Sequence, residues 1–298
     1  MLSTTGGDVN LKPERADTLT LGVVLSPKDG FLSHFRFSAD WYQITIEDAI
    51  VGPPFGLGAQ NIVAQCYLAA GQTGPLTGPF CDRITFDPPL DPTADPRSNL
   101  GSVNNKAANL QGFTTRGIDF EAAYSAPMGD GTFSLRVLAS YLYDQLFAPG
   151  TGAPTRNYAG QSGPTAAFGS FNTAPKWQGN AFATFTEGPF SGTVQVRYIG
   201  PGRFMTVTAA GGLAIDPSDP NYSTTDANSI SNNHVNDAAY VNLSASYDIT
   251  PNIQLFGSMN NLFDTDPVVA PGGNGYPTNP VYFDTYGRTW RAGVRVKL

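Results

Sequence analysis

Apolar and polar residues alternate along most of this chain with a period of two, which is the pattern of a β-strand. The final segment shows the pattern most clearly. One face carries apolar side chains, at Trp290, Ala292, Val294, Val296 and Leu298. The other face carries polar or small residues, at Arg291, Gly293, Arg295 and Lys297. Helical periodicity is nearly absent, so the sequence predicts an all-β fold.

The alternation predicts nine strands, at about 16–26, 32–47, 112–125, 132–146, 175–187, 191–203, 237–249, 252–264 and 283–298. Strands of soluble proteins most often have about 5–6 residues, whereas a strand that crosses a membrane needs about 9–11. Most of the predicted strands reach the membrane length. Their lengths therefore favour a transmembrane barrel over a soluble sandwich.

Short and long connections alternate between these strands. Turns rich in Pro, Gly, Asp and Asn join the strands at 26–30, 127–131, 187–189 and 250–252. Long connections fall at about 48–111, 147–174, 204–236 and 265–282. An outer-membrane barrel has short periplasmic turns and long extracellular loops. The predicted fold is therefore part of an antiparallel transmembrane β-barrel, with residues 1–298 as one domain.

Aromatic residues cluster near both ends of the predicted strands, as expected for side chains at two membrane interfaces. On the long-loop side these are Trp41, Tyr42, Tyr141, Tyr143, Trp177, Tyr198, Tyr286 and Trp290. On the short-turn side they are Phe31, Tyr124, Phe133, Phe185, Phe190 and Tyr247. The alternative explanation is the ordinary preference of aromatic residues for strands.

Composition and charge narrow the function. Charged residues make up 14% of the chain, against roughly 25% in a typical soluble domain. The net charge of −7 argues against nucleic-acid binding, which needs a basic patch. Residues 1–8 contain neither a basic segment nor an apolar one, so no signal peptide is predicted. No apolar run approaches the roughly 18 residues of a membrane helix.

Four short stretches resemble the C-terminal half of the barrel of TonB-dependent receptors. They are residues 10–14 (NLKPE), 115–121 (TRGIDFE), 260–267 (NNLFDTDP) and 286–291 (YGRTWR). The resemblance rests on their order and spacing, and it extends from Leu11 to Leu298. It singles out as motif residues Asn261, Leu262, Phe263, Asp264, Gly287 and Arg288.

The resemblance implies an active transporter in the outer membrane of a Gram-negative bacterium. Family members import scarce ligands such as ferric siderophores or oligosaccharides, and TonB supplies energy by pulling on an N-terminal plug domain. They also have 22 strands and usually end in an aromatic residue, whereas this chain has nine predicted strands, no plug and a final Leu298. The expectation is therefore a C-terminal portion whose partners are lipid, the missing N-terminal barrel and plug, and TonB through that plug.

No enzymatic activity and no cofactor are predicted. The alternatives to a TonB-dependent transporter are a passive porin-like channel and a secreted β-sandwich or adhesin that binds carbohydrate. Alternation alone fits the porin, but the receptor-like motifs do not. Strand length and the two aromatic belts argue against the sandwich.

Cys66 and Cys81 lie in the first long loop, which would face an oxidising exterior, and this favours a disulfide. A similar cysteine pair in some TonB-dependent receptors supports the pairing. The alternatives are a metal site and a Cys nucleophile that uses His234. No Cys/His spacing fits zinc, and the two histidines, His34 and His234, are far apart in sequence.

Ligand contacts are expected from aromatic residues of the long loops, since such rings stack on sugars and on aromatic siderophores. The candidates are Tyr67, Phe80, Phe147, Tyr158, Phe168, Phe171, Tyr222 and Tyr276. The alternative is that these rings pack the loops against each other. Charged residues on the polar faces are interpreted as a wet inner wall; they are Arg36, Asp40, Asp119, Glu121, Arg136, Arg197, Arg291 and Arg295.

Overall fold

The computed structural model describes residues 2–51, 59, 62–63, 66, 76–78, 80–87, 100–148, 155–163, 174–204, 222–225, 231–270 and 277–297. Its strands are β1 (Leu2–Gly6), β2 (Arg15–Leu25), β3 (Phe35–Val51), β4 (Ile84–Phe86), β5 (Leu100–Lys106), β6 (Ala108–Met128), β7 (Gly131–Ala148), β8 (Arg156–Asn157), β9 (Trp177–Glu187), β10 (Phe190–Ile199), β11 (Gly202–Arg203), β12 (His234–Val235), β13 (Ala238–Thr250), β14 (Ile253–Asn260) and β15 (Thr289–Val296). Two short 3₁₀ helices span Gly30–His34 and Cys81–Arg83.

One large antiparallel sheet contains all nine predicted strands. Its order is β15-β14-β13-β10-β9-β7-β6-β3-β2, and the short strand β8 pairs with β7 at one side of this path. Strands that follow each other along the main path are therefore neighbours in the sheet, as in a meander. Within the described residues β2 and β15 are the two edges and do not pair with each other, so the sheet is open. The predicted fold class is confirmed.

The register places the apolar faces of all nine strands on one side of the sheet. In the middle of β10, Val194 lies opposite Ala183 of β9 and Leu243 of β13. Its neighbour Thr193 lies opposite Thr184 and Ser244 on the other side. We call these the apolar side and the polar side. Many large residues of the apolar side are exposed, as a surface in contact with lipid requires; they include Leu19, Leu21, Trp177, Leu243, Leu255, Trp290 and Val294.

Side chains on the polar side hydrogen-bond across strands rather than to their own backbone. The Gln195 amide donates to Asn180 Oδ1 at 3.1 Å and accepts from Asn242 Nδ2 at 3.1 Å, which links β9, β10 and β13. Arg136 Nε donates to Glu121 Oε1 at 2.8 Å, which links β6 and β7. The polar faces predicted from the sequence therefore form a continuous hydrogen-bonded surface.

The two ends of the sheet differ. At the short-turn end, Gly129 and Gly188 have φ of 61° and 51°. These are left-handed conformations that glycine adopts without steric penalty. At the long-loop end, the buried residues form two clusters among the loops and strand ends. Among the described residues, the hydrophobic core thus lies at this end. The large sheet, which has one polar and one apolar side, encloses no core of its own.

The sequence misses several short elements in the long connections. β1 pairs in parallel with β5, and β4 pairs with β5 in an antiparallel manner, so a three-stranded sheet occupies part of the first long connection. β11 and β12 form a two-residue ladder beside the loop that joins β10 to β13. No helix in the described residues is long and apolar enough to cross a membrane.

Two predicted strand ends also differ from the structure. β14 ends at Asn260 rather than near residue 264, and β15 begins at Thr289 rather than near residue 283. β14 ends early because Asn261 and Asp264 have positive φ. β15 begins late because Gly287 has a φ of 71°. A strand does not continue through left-handed residues.

Candidate ligand-facing site

Loops and strand ends meet on the polar side of the large sheet at its long-loop end. Two groups of residues build this region. The first is the connection from β14 to β15, which carries the motif residues. The second is formed by the loops that follow β7 and β10, together with the middle of the connection from β14 to β15.

Asn261 fixes the start of the connection between β14 and β15. Its side chain is 1% exposed and its φ is 49°. The Asn261 backbone N–H donates to Asn242 Oδ1 at 2.8 Å, and Thr265 N donates to Asn261 Oδ1 at 2.8 Å. The Asn261 Nδ2 donates to the Thr265 carbonyl at 2.9 Å and to Asp284 Oδ2 at 3.1 Å. The Asn261 side chain therefore hydrogen-bonds to residues at both ends of this loop, Thr265 and Asp284.

Asp264 joins the two motifs that are separated in the sequence. The Arg288 backbone N–H donates to Asp264 Oδ1 at 2.7 Å, and the Arg288 guanidinium lies 3.7 Å from Asp264 Oδ2. A Cβ added at Gly287 would lie 3.0 Å from Asp264 Oδ1, so a glycine leaves room for this contact. We call the group Asn261, Asp264, Asp284, Gly287 and Arg288 the clasp. The Leu262 N–H donates to the Val241 carbonyl at 2.7 Å, and the Phe263 ring is 70% exposed.

The loops above the sheet are bound to each other by backbone carbonyls and buried side chains. Asn279 is buried, and its Nδ2 donates to the Ser162 and Gly163 carbonyls at 3.1 and 2.8 Å. The Arg203 guanidinium donates to the Asn157 and Ala159 carbonyls at 2.9 and 3.1 Å. An apolar cluster fills the space beneath them, formed by Ile199, Val235, Ala238, Tyr240, Ala270, Tyr282 and Phe283. The described parts of three long loops therefore pack against each other.

A pocket of about 340 Å³ lies on the polar side at the ends of β10, β13, β14 and β15. Its lining from the strands is Arg197, Tyr240, Asn242, Asn260 and Thr289, and its lining from the loop is Pro280, Phe283, Asp284, Thr285, Tyr286 and Gly287. We call it the rim pocket. A larger cavity of about 640 Å³ lies between the loops, beside Phe204, Asn232, His234, Val235, Asn236, Asp237, Pro267, Val268 and Val269.

The first long loop contains the disulfide that the sequence predicts. Cys66 and Cys81 are bonded and buried, and they pack with Ile62, Phe80, Ile84 and Val103. Both cysteines are therefore committed to a structural role. In the described residues no group of three or more His, Cys, Asp or Glu side chains is placed to hold a metal ion.

Three of the predicted ligand-contacting aromatics are buried among the loops. Phe80 and Phe147 are each 3% exposed and Tyr158 is 8% exposed. The Phe147 ring lies 5.4 Å from Phe113 and 6.4 Å from Tyr158 between centroids. Tyr222 is half-buried, and Tyr67, Phe168, Phe171 and Tyr276 lie outside the described residues. Ligand contact at these positions stays a prediction.

The rim pocket contains residues for which the sequence predicts no ligand role. Strand alternation predicts Arg197 on the polar inner wall, and the aromatic pattern predicts Tyr286 in a belt. No sequence pattern singles out Tyr240 or Asp284. Strand alternation puts Arg197, Tyr240 and Asn242 on the same side, and this signal was available. The contribution of Asp284 depends on a loop conformation that alternation does not encode.

Among the described residues outside the strands of the large sheet, three ionisable groups have shifted pKa values. Burial raises the pKa of the Tyr282 hydroxyl in the loop cluster. Burial also lowers the pKa of Arg83, whose guanidinium donates to the Lys106 carbonyl at 2.8 Å. The Asn10 backbone N–H, 2.9 Å from Asp8 Oδ1, lowers the pKa of the Asp8 carboxyl.

Comparison with known protein families identifies the family of this chain. A family profile described as TonB dependent receptor-like, beta-barrel matches residues 2–262. The chain belongs to the TonB-dependent receptor barrel family. Comparison with curated protein sequences finds no match.

Solved structures of TonB-dependent receptor barrels share the fold. The outer membrane transporter YddB from Escherichia coli is 11% identical with a TM-score of 0.57, over 100% of this chain and 34% of that one. A mutant of the ferric enterobactin receptor PfeA from Pseudomonas aeruginosa is 14% identical with a TM-score of 0.55, over 99% and 32%. The siderophore receptor PirA from Acinetobacter baumannii is 14% identical with a TM-score of 0.55, over 98% and 33%. The chain thus spans about a third of the length of these structures.

Proposed function

We propose that this chain is the C-terminal barrel portion of an outer-membrane TonB-dependent transporter that imports a scarce small ligand. The observation that carries the proposal is the nine-strand register, which separates a lipid-compatible side from a hydrogen-bonded polar side. The family match over residues 2–262 supports it. The ligand class proposed is siderophore-bound iron or an oligosaccharide. PfeA is named as a ferric enterobactin receptor and PirA as a siderophore receptor, which supports the iron alternative.

The proposed partners are lipid, the remaining strands and the plug of a full-length receptor, and TonB. The apolar side contacts outer-membrane lipid, and the edges β2 and β15 pair with the remaining strands of a full-length barrel. A plug domain lies against the polar side, and TonB acts on that plug. Unpaired strand edges are unfavourable in lipid, so transport belongs to the complete receptor. The cell location proposed is the outer membrane of a Gram-negative bacterium, and we propose no enzymatic activity.

Ligand contact is proposed for the outer loops and the rim pocket. The described parts of these loops pack against each other at the long-loop end, which supports a ligand contact there. The aromatic candidates Tyr67, Phe80, Phe147, Tyr158, Phe168, Tyr222 and Tyr276 remain part of this proposal. Those that are buried would act by shaping the loops, and those that are exposed would stack on the ligand.

The decisive experiment combines sequencing of the upstream DNA with a transport assay. The DNA upstream of Met1 is sequenced, and a full-length parent that contains this segment is expressed in cells with and without TonB. Uptake of ferric siderophores and labelled oligosaccharides is then measured. We expect uptake of one ligand class only in cells with TonB. Uptake that is equal in both strains would contradict the proposal and indicate a porin-like channel instead.

A further inference from the structure

Arg197 is a charged residue whose donors are mostly unused. It lies two residues before the end of β10 on the polar side, opposite Asn180 of β9 and Tyr240 of β13. One guanidinium nitrogen donates to the Tyr282 carbonyl at 2.8 Å. Among the described residues no carboxylate forms an ion pair with it. A guanidinium has five N–H donors in a planar fork, so most of the fork is free to face the rim pocket.

Asp284, Asn242 and Asn260, which also line the rim pocket, already have partners. Asp284 accepts the Tyr286 N–H at 3.0 Å and the Asn261 amide at 3.1 Å. Asn242 donates to Gln195 and accepts the Asn261 N–H, while Asn260 donates to Thr289 at 3.4 Å. These groups hold the shape of the pocket. Arg197 is thus the charged lining residue that can accept a new partner.

The Tyr240 hydroxyl is the second unused donor in the rim pocket. Its oxygen accepts the Asp284 N–H at 3.1 Å. No acceptor for its own proton is present in the part of the chain that the structure describes. Tyr240 lies directly opposite Arg197 in the register. A guanidinium fork and a hydroxyl donor on neighbouring strands present N–H and O–H groups to one side of the same pocket.

The chemistry of the lining favours one class of group. A planar carboxylate matches the guanidinium fork through two parallel hydrogen bonds. A phosphate carries up to two negative charges and would lie near Asp284 with a single cation to compensate them. A singly charged carboxylate is repelled less by Asp284, and one guanidinium neutralises it. Pro280, Phe283 and Tyr286 add an apolar part to the lining, which suits the carbon skeleton that bears the carboxylate.

We infer that the rim pocket binds a carboxylate group of the ligand, anchored by Arg197 and assisted by the Tyr240 hydroxyl. This inference rests on the proposed function because it names the chemistry of the imported ligand. The volume of about 340 Å³ holds one carboxylate-bearing arm or ring of a larger molecule. Arg197 then determines the charge specificity of this end of the barrel.

The experiment uses two ring-shaped probes that differ in charge and little in shape. The 298-residue chain is refolded in detergent micelles, and binding of 4-fluorobenzoate and 4-fluorobenzamide is measured by ¹⁹F NMR. We expect the wild-type chain to bind the benzoate at least tenfold more tightly than the benzamide. Hydrogen bonds to a charged group contribute enough for Arg197→Gln to weaken benzoate binding about 10- to 100-fold. Arg197→Lys keeps the charge but not the fork, so its loss is smaller.

Arg36→Gln is the matched control. Arg36 lies on the polar side near the short-turn end of β3, so its loss removes the same charge far from the rim pocket. We expect this variant to bind benzoate as the wild type does. Circular dichroism and closure of the Cys66–Cys81 bond show that each variant is folded. If folded Arg197→Gln binds benzoate as tightly as the wild type, or if benzamide binds as well as benzoate, the inference is overturned.

The binding measurement contains no TonB, so it fails independently of the proposed function. Charge-selective binding together with TonB-independent uptake would keep the pocket and reject the transporter. TonB-dependent uptake of a ligand without Arg197-dependent benzoate binding would keep the transporter and reject the carboxylate site.

Discussion

At the scale of single residues, Asn261 contributes most to the long-loop end. A buried amide normally needs hydrogen-bond partners, and this one has partners in three segments: Asn242 through the backbone N–H, Thr265 within the loop, and Asp284 across it. Asparagine also tolerates left-handed backbone better than most residues do. Both properties explain why this position requires asparagine in particular.

Asn261→Ala should therefore destabilise the fold. It removes two donated hydrogen bonds and one accepted one, leaves Asp284 Oδ2 without its amide partner, and places alanine at a φ of 49°. Together these losses predict a decrease of about 2–4 kcal/mol in the free energy of unfolding. Urea unfolding in detergent, followed by circular dichroism, measures this decrease.

Asn260→Ala is the control for that experiment, because its exposed side chain makes one long hydrogen bond of 3.4 Å to Thr289. We expect it to change stability by less than about 1 kcal/mol. Equal effects of the two substitutions would show that the clasp has no special role.

At the scale of elements, each strand of the large sheet has an apolar side and a polar side. Adjacent residues of one strand therefore differ sharply in what they tolerate. β13 offers a matched pair near its centre, Leu243 on the apolar side and Ser244 on the polar side. The apolar residue is 40% exposed, which is appropriate only where the surroundings are apolar.

Leu243→Arg should prevent stable insertion, and Ser244→Arg should not. An arginine on the lipid face near the bilayer centre is unfavourable by roughly 2–4 kcal/mol. On the polar side the same side chain is solvated. Folding of a full-length parent into phosphatidylcholine vesicles, titrated with guanidinium, compares the two variants. If they lose the same stability, the assignment of the apolar side to lipid is wrong.

The disulfide stabilises a different element, the small sheet of β1, β4 and β5. It closes a loop with a sequence separation of 15, for which the chain-entropy model gives about 3 kcal/mol. The double substitution Cys66→Ala and Cys81→Ala should speed amide hydrogen exchange in β4 and β5 by about two orders of magnitude. Exchange in β10 is the internal control, since that strand lies in the large sheet. Unchanged exchange in β4 and β5 would mean that packing around Phe80 alone maintains the element.

The sequence predicts the large sheet well because strand alternation is a local signal. The positions of β6, β7, β9, β10 and β13 agree within about four residues at each end. The errors occur where distant residues decide the conformation. β14 ends early because Asn261 bonds to Asp284, and β15 starts late because Arg288 bonds to Asp264. The parallel pairing of Leu2 with Ser102 has no local signal.

The candidate site is less predictable than the sheet for the same reason. Arg197 could be placed on the polar side from alternation, but its unused donors could not, since they depend on where Tyr282 and Asp284 come to lie. Aromatic residues of the loops are predicted to contact the ligand because their rings can stack on sugars and on aromatic siderophores. Phe80, Phe147 and Tyr158 are instead buried, and no local pattern distinguishes a packed ring from an exposed one.

At the scale of the whole molecule, the open sheet has two edges. Unpaired strand edges are templates for pairing with another chain. β2 is exposed along its whole length, and Val24 on its polar side is 73% exposed. In a complete barrel this strand would have a neighbour.

The chain by itself should therefore self-associate in detergent. Light scattering is expected to give a mass above that of one 31.6 kDa chain. Val24→Lys should reduce this association, because a charged residue on an edge strand disfavours pairing with another edge. The free energy of unfolding should change by less than about 0.5 kcal/mol, as for most surface substitutions. A wild-type chain that remains monomeric would show that its edges are protected in another way.

The clasp also affects how a receptor of this kind diversifies. It fixes the direction in which the chain leaves β14 and enters β15 through contacts among residues 261–265 and 284–288 and through hydrogen bonds from this group to Tyr240, Val241 and Asn242 of β13. Among the described residues between those two segments, 266–270 and 277–283, none pairs in the large sheet. Substitutions there that keep the buried Ala270, Asn279, Tyr282 and Phe283 should therefore leave the direction of both strands unchanged, so the sequence of this connection can vary while the sheet stays the same.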